Sequence, residues 1–195
     1  MYEFNKFIKI KYNKIKPQKG KVLVSEPFSS GEYFNRSIIL LLGHSTKESF
    51  GIILNKPMNM KLNLFYNNFN SDIKVNKGGP FETDKVFYIH TLGDKIPGSI
   101  KIQDNLYWGG NINSIKNEIE NNEISSDRIR FFQGSVIWSR KHLNQEIEDD
   151  KWMVSSVKTE QVMCKDYENL WDNIVNNLGE NFKLWKFFPE NPELN

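Results

Sequence analysis

The chain has 195 residues, enough for one domain, or one domain with extensions, around a continuous core. Its 38% hydrophobic content holds no apolar run near the ~20 residues of a membrane span, and no secretory hydrophobic region with a cleavage site follows the N-terminus. The net charge of +2 hides an asymmetry, because residues 1–21 carry +6 (seven lysines against Glu3) and residues 22–195 therefore carry −4, which argues against a body built to grip nucleic acid.

Residues 1–19 read as a basic N-terminal arm. Ile8, Ile10 and Tyr12 alternate with Lys9, Lys11 and Asn13 as on a half-exposed strand, while Phe4, Ile8, Tyr12 and Ile15 also share a helical face. A helix or irregular arm packed on the body is the reading taken. Clustered lysines would let residues 1–21 touch nucleic acid or an anionic membrane surface, and the plain alternative is a solvated terminal segment. The body, residues 20–188, begins strand-rich: Lys21–Ser25, Ser37–Gly43 and Phe50–Asn55 read as strands, the last two joined as an antiparallel hairpin through polar His44–Ser49. Leu62, Leu64 and Phe65 suggest a short helix within Met60–Asn67, and Asn67–Ser71 reads as a loop. Ile73–Asn76 and Lys85–His90 flank a Gly-Gly-Pro turn, and Ser99–Ile102 with Leu106–Trp108 form a further hairpin.

Helices enter in the second half. Asn111 is placed to cap one with Ile112, Ile115 and Ile119 on a face, and Ser139 to cap another with Leu143 and Ile147 one turn apart. Between them Arg128–Trp138 is a strand interrupted by Gly134, a bulge or point of close approach. Lys151–Val157 follows as the last strand. Tyr167, Leu170, Trp171, Ile174, Val175 and Leu178 make an apolar stripe closed by Gly179, and residues 189–195 form a tail expected to fray. A run of strands followed by mixed helices and strands indicates an α+β fold.

The densest group of backbone-constraining residues is Gly51-Ile52-Ile53-Leu54-Asn55-Lys56-Pro57, then Gly78-Gly79-Pro80, then His90. In that order it resembles the YqgE/AlgH family of small bacterial proteins. The likeness extends to Val22-Leu23-Val24-Ser25-Glu26-Pro27, Phe34-Asn35-Arg36-Ser37, Phe131-Phe132-Gln133-Gly134, Trp138, Leu143, Glu146 and Trp152, and so covers about Gly20 to Gly179. The resemblance implies a highly curved, mixed, largely antiparallel and partly barrel-like sheet surrounded by helices. It also implies a link to regulation, including transcriptional regulation and alginate synthesis, with no established catalytic activity. The family commonly has Gly before the Trp and Gly-Gln before the Leu, where this chain has Ile137 and Lys141-His142.

Chemistry-bearing sets are sparse. His44, His90 and His142 lack the Cys or carboxylate neighbours of a zinc site, no cofactor motif is present, and Ser25, Ser37 and Ser139 lack a Gly-x-Ser-x-Gly elbow. Cys164 alone forms no internal disulfide, consistent with a reducing, cytoplasmic setting. The expectation is a non-enzymatic regulatory or interaction protein acting on a protein partner through Asn55, Lys56, Pro57, Gly78, Gly79 and Pro80. The alternative is a pocket at the same loops in which Arg36, Asn55 and His90 take a small anionic ligand or substrate. Asn55 is expected to clamp neighbouring backbone, Arg36 to pair with Glu26, Glu82 or Glu146, His90 to bond backbone at its strand end, and Trp138, Leu143, Glu146 and Trp152 to form a strand–helix corner.

Overall fold

The computed structural model describes residues 15–29, 31, 33–67, 69, 73–121 and 125–188. The expected arm (1–19) and the tail (189–195) therefore lie, except for residues 15–19, outside the described residues. Within them the chain is an α+β domain built on one open sheet of ten strands, with five helices packed about it. In chain order the strands are β1 (Val22–Ser25), β2 (Ile38–His44), β3 (Glu48–Ile53), β4 (Pro57–Lys61), β5 (Lys74–Lys77), β6 (Phe81–His90), β7 (Ile100–Gln103), β8 (Leu106–Trp108), β9 (Ile129–Ser139) and β10 (Trp152–Ser155). The helices are α1 (Ile112–Glu120), α2 (Arg140–Glu148), α3 (Thr159–Val162), α4 (Leu170–Leu178) and α5 (Glu180–Lys183). No helix among the described residues is long and apolar enough to cross a membrane.

The sheet runs β10-β1-β2-β3-β9-β6-β8-β7, with β4 attached through β5 to β9. All pairings are antiparallel except β5 with β9. It curls until its two ends touch through side chains and not through a ladder. Gln103 Nε2, on β7, donates to the Val157 carbonyl just past β10 at 2.9 Å, and Lys19 Nζ reaches the Lys101 carbonyl at 2.9 Å. The expected barrel-like curvature is present, and the sheet stays open.

Both faces of the sheet are buried at β1 and β2, which is why β2 reads as a continuous apolar run. Val22, Val24, Leu40, Ile52 and Leu54 meet Trp171, Ile174, Val175, Phe182 and Trp185 from the C-terminal helices on one face. Leu23, Ile39, Leu41, Ile53 and Val154 meet Leu143 of α2, with Trp138 and Trp152, on the other. A third cluster, including Tyr88, Ile115 and Phe131, seats α1 on the β5–β6 end. The two caps read from the sequence form: Asn111 Oδ1 accepts from the Asn113 and Ser114 amides, and Ser139 Oγ from the His142 amide.

The short helix expected within Met60–Asn67 is present only as a single 3-10 turn, Leu62–Leu64, because β4, a strand that was not expected, carries Met60 and Lys61 into register with Val75 and Lys74. The apolar spacing of Leu62 and Phe65 was too short to outweigh a strand partner from elsewhere in the chain.

Candidate functional site

β9 is the hub, and the glycine bends meet on it. Residues 131–133 pair with β5 on one edge and with β6 on the other, and residues 136–139 pair with β3 on the β5 edge. The chain leaving β5 must therefore cross the face of β9 to become β6. It crosses at Gly79-Pro80: the Gly78 amide still bonds Gln133 on the first edge (2.7 Å), and Phe81 is already paired with Ser135 on the second. Backbone touches backbone there. A Cβ on Gly78 would lie 2.2 Å from the Gly134 carbonyl oxygen, one on Gly79 2.1 Å from that of Ser135, and one on Gly134 2.3 Å from that of Gly79. Gly134 also sits at φ +75°, and the in–out alternation slips by one across it, so that Phe132 and Val136 face opposite cores.

The second bend docks on this crossing. The Ile53 amide donates to the Gly78 carbonyl at 2.8 Å and the Lys77 amide to that of Lys56 at 2.9 Å. Asn55, 6% exposed, holds a third loop: its Oδ1 accepts from the Ile38 amide and its Nδ2 donates to the Arg36 carbonyl, both at 2.8 Å. Lys56 Nζ donates to the Asn35 carbonyl at 2.7 Å. The fold thus joins Asn55, Lys56, Pro57, Gly78, Gly79 and Pro80, with the backbone of Arg36. Most polar atoms there serve the backbone, and the exposed groups are Pro57, Pro80 and the ring of Phe81.

Two candidates sit apart from that group. The Arg36 guanidinium turns to the C-terminal segment, donating to the Phe188 carbonyl and lying 5.0 Å over the Trp171 ring. His90 pairs with Ile129, six positions along β9 from Ser135, or about 20 Å at strand rise. It is fully buried, Nε2 lying 3.1 Å from both the Gly109 carbonyl and Ser99 Oγ, while Nδ1 accepts from the Leu92 amide at 3.3 Å. Burial lowers its pKa, and the Arg128 charge lowers it further against the opposing Gly109 bond. The serines are committed too: Ser25 Oγ accepts from the Ser37 amide, and Ser37 Oγ donates to the Tyr33 carbonyl. No group of three His, Cys, Asp or Glu side chains among the described residues converges as a metal site.

Sequence reasoning missed Arg130. It is 8% exposed, and it donates to the Leu54 and Val162 carbonyls at 2.6 Å each while stacking between Phe132 and Tyr167. Burial brings its pKa down to about 10, so it stays charged at neutral pH. No carboxylate among the described residues pairs with it. It ties the Asn55 loop to the start of the C-terminal helices.

The expected strand–helix corner is a trough of about 280 Å³ lined by Glu26, Phe28, Ser29, Phe34, Trp138, Glu146, Lys151 and Trp152. Ser139 starts α2 directly after β9, so Glu146 returns over the strand it left and Oε2 takes both indole N–H groups, at 2.9 Å from Trp138 and 2.8 Å from Trp152. The two indoles meet edge to face at 6.0 Å, and Phe34 meets Trp152 the same way at 5.7 Å. The turn at residues 33–36 links trough to bends: Phe34 packs in the first, and Asn35 and Arg36 are held by the second.

Comparison with known proteins agrees with this architecture. An AlgH-like family model matches residues 22–183. A UPF0301 protein of Parabacteroides distasonis is 36% identical over the whole of both chains, and one of Bacteroides fragilis is 38% identical over 96% of each. Among solved structures, a protein from Corynebacterium diphtheriae superposes with a TM-score of 0.76 at 22% identity, covering 91% of this chain and 95% of its own. The AlgH protein of Pseudomonas aeruginosa does so with a TM-score of 0.69 at 18% identity, covering 91% and 98%. At those identities the structures speak for the fold alone, whereas the family model and the full-length relatives speak for descent: the chain belongs to the AlgH-like family.

Proposed function

We propose that this chain is a non-enzymatic interaction protein of the cytoplasm with a regulatory role, engaging a protein partner through the joined bends Asn55–Pro57 and Gly78–Pro80. The observation that carries the reading is the contrast inside that junction. Its interior is buried backbone held by glycine contacts and by Asn55, so it cannot deform cheaply, while its surface shows Pro57, Pro80 and Phe81, the last 49% exposed. A rigid base under a small apolar surface costs little ordering on association. Nothing at the junction can act as a nucleophile with its base. Any transcriptional effect is indirect in this reading, because α4, the most apolar helix, carries no basic residue with which to read a groove.

The test is affinity capture from bacterial lysate with wild type and with Phe81→Asp, a substitution at an exposed ring that leaves the urea midpoint unchanged. A protein held by wild type and lost from the variant supports the reading. Identical captured sets from two equally stable proteins overturn it.

A further inference from the structure

Strand β6, which begins at the exposed Phe81 ring, keeps an open edge further along. The Thr91 amide, one residue past the strand, bonds the Arg128 carbonyl, so in the antiparallel ladder Ile89 and Phe87 also turn their main-chain groups to β9. Val86, Tyr88 and His90 turn theirs the other way. There His90 lies opposite Tyr107 of β8, and the Tyr88 carbonyl accepts from the Gly109 amide at 3.1 Å. The chain then leaves the sheet, the Asn111 amide bonding the Pro97 carbonyl at 2.8 Å. Val86 is left with a main-chain N–H and C=O on that edge that no described residue pairs.

A concavity of about 370 Å³ lies along the same edge, lined by Phe65, Tyr66, Asp84, Lys85, Val86 and Phe87. Val86 packs toward the cluster of Tyr88 and Phe131 on one face of the sheet and Phe87 toward that of Phe132 on the other. A space touching both runs along the backbone between them, and since β9 fills the inner side, the hollow is at the outer edge. Phe65 and Tyr66 give it a half-buried aromatic wall. Lys85 is paired with Glu82, whereas Asp84 is exposed and forms no ion pair with a described residue. These features call for an occupant with a main chain of its own. An extended peptide answers the Val86 N–H and C=O, seats a side chain in the hollow and meets Asp84 with a cation. A second copy of this chain fits less well: residues 82–85 stand against Gly134 alone, and two copies would set bulge against bulge and Asp84 near Asp84. We infer that the outer edge of β6 at Val86 binds an extended segment of a partner protein, which adds as a short strand with an apolar side chain against Phe65 and Tyr66 and a lysine or arginine beside Asp84. The inference rests on the interaction role proposed above and names the form the partner takes.

The test selects random peptides of about nine residues, displayed on phage, against the full chain, and titrates a selected peptide into the nitrogen-15-labelled protein. The Val86 amide resonance shifts saturably and its hydrogen exchange slows, the mark of a new main-chain bond. Successive residues of a strand bond to opposite sides, so of two versions of the peptide, N-methylated at odd or at even positions, one loses at least about tenfold in affinity and the other much less. Asp84→Asn, an exposed substitution, weakens binding by about threefold. A selection that yields nothing, peptides that leave Val86 unmoved, equal affinities of the two methylated versions, or an unchanged Asp84→Asn overturns the inference. Protection of Val86 that rises with protein concentration alone assigns the edge to a second copy and overturns it too. Phe81→Asp separates this site from the junction of the bends. Peptide binding at Val86 beside a lysate capture indifferent to Phe81→Asp upholds the edge and removes the junction, and capture lost in that variant while no peptide reaches Val86 does the reverse.

Discussion

At the glycine crossing backbone lies against backbone, and Gly78, Asn55 and Lys56 use their polar atoms on other loops; in the trough side chain meets side chain, and a fixed carboxylate keeps one oxygen with no donor among the described residues. Both regions are rigid, but for different reasons. The crossing is rigid because no atom can be added to it, and the trough because two indoles share one acceptor. Recognising a small polar ligand takes an unmet bond as well as a fixed geometry, and of the two regions the trough has both. The crossing by contrast presents shape, which suits a protein surface and not a small polar ligand.

Substitutions at the crossing are the harshest way to break this contrast. Gly134→Ala puts a Cβ 2.3 Å from the Gly79 carbonyl oxygen at φ +75°, so strain and collision add. We expect a loss of more than about 4 kcal/mol in urea unfolding, the range reserved for severe backbone and packing conflicts. Arg130→Met comes next at about 3 kcal/mol, since it leaves the Leu54 and Val162 carbonyls without donors in a buried site. Asn55→Ala should cost about 2 kcal/mol, through the orphaned Ile38 amide and Arg36 carbonyl. Glu146→Gln, in the trough, should stay within about 1 kcal/mol of wild type because both indoles keep an acceptor. If it matched Asn55→Ala, the trough would be a structural clamp like the crossing, and the distinction would fail.

How much of this the sequence disclosed follows from where each signal lives. Gly78, Gly79 and Gly134 mark themselves, because a residue chosen for lacking a Cβ announces close approach wherever it stands. What they approach is long-range, and the crossing of β9 depends on a parallel β5–β9 pairing that no local pattern encodes. Trp138, Glu146 and Trp152 were readable as a corner from their types and spacing. The trough was not, since its far wall comes from Phe28 and Phe34, more than a hundred positions earlier. Arg130 left no trace because its partners are carbonyls, present at every residue, and Arg36 drew notice as a candidate anion ligand although its guanidinium serves Phe188 and Trp171. β4 was missed because Leu62 and Phe65 imitate a helical turn at the end of a strand.

The mildest perturbation is a single proton, and it sharpens the same comparison at His90, which, like the crossing, has its polar atoms committed. With Nε2–H shared between the Gly109 carbonyl and Ser99 Oγ, Nδ1 is the acceptor for the Leu92 amide and cannot also carry a proton. The native ring therefore resists protonation, in line with a pKa lowered from 6.5 first by burial and then by Arg128. In the unfolded chain the ring titrates at its ordinary value. Protons then bind the unfolded state preferentially, so the contribution of His90 to stability is complete above pH 6.5 and is lost as pH falls through the native pKa. His44 is lowered in the same sense, by burial and by Arg140, and adds a second share of the slope. Urea midpoints of wild type and His90→Gln measured downward from neutral pH should differ most above pH 6.5 and converge as the solution is acidified, the variant retaining the His44 share of the slope. Parallel curves would mean that the ring accepts its proton without giving up the Leu92 amide, and that this end of β6 is looser than its hydrogen bonds imply.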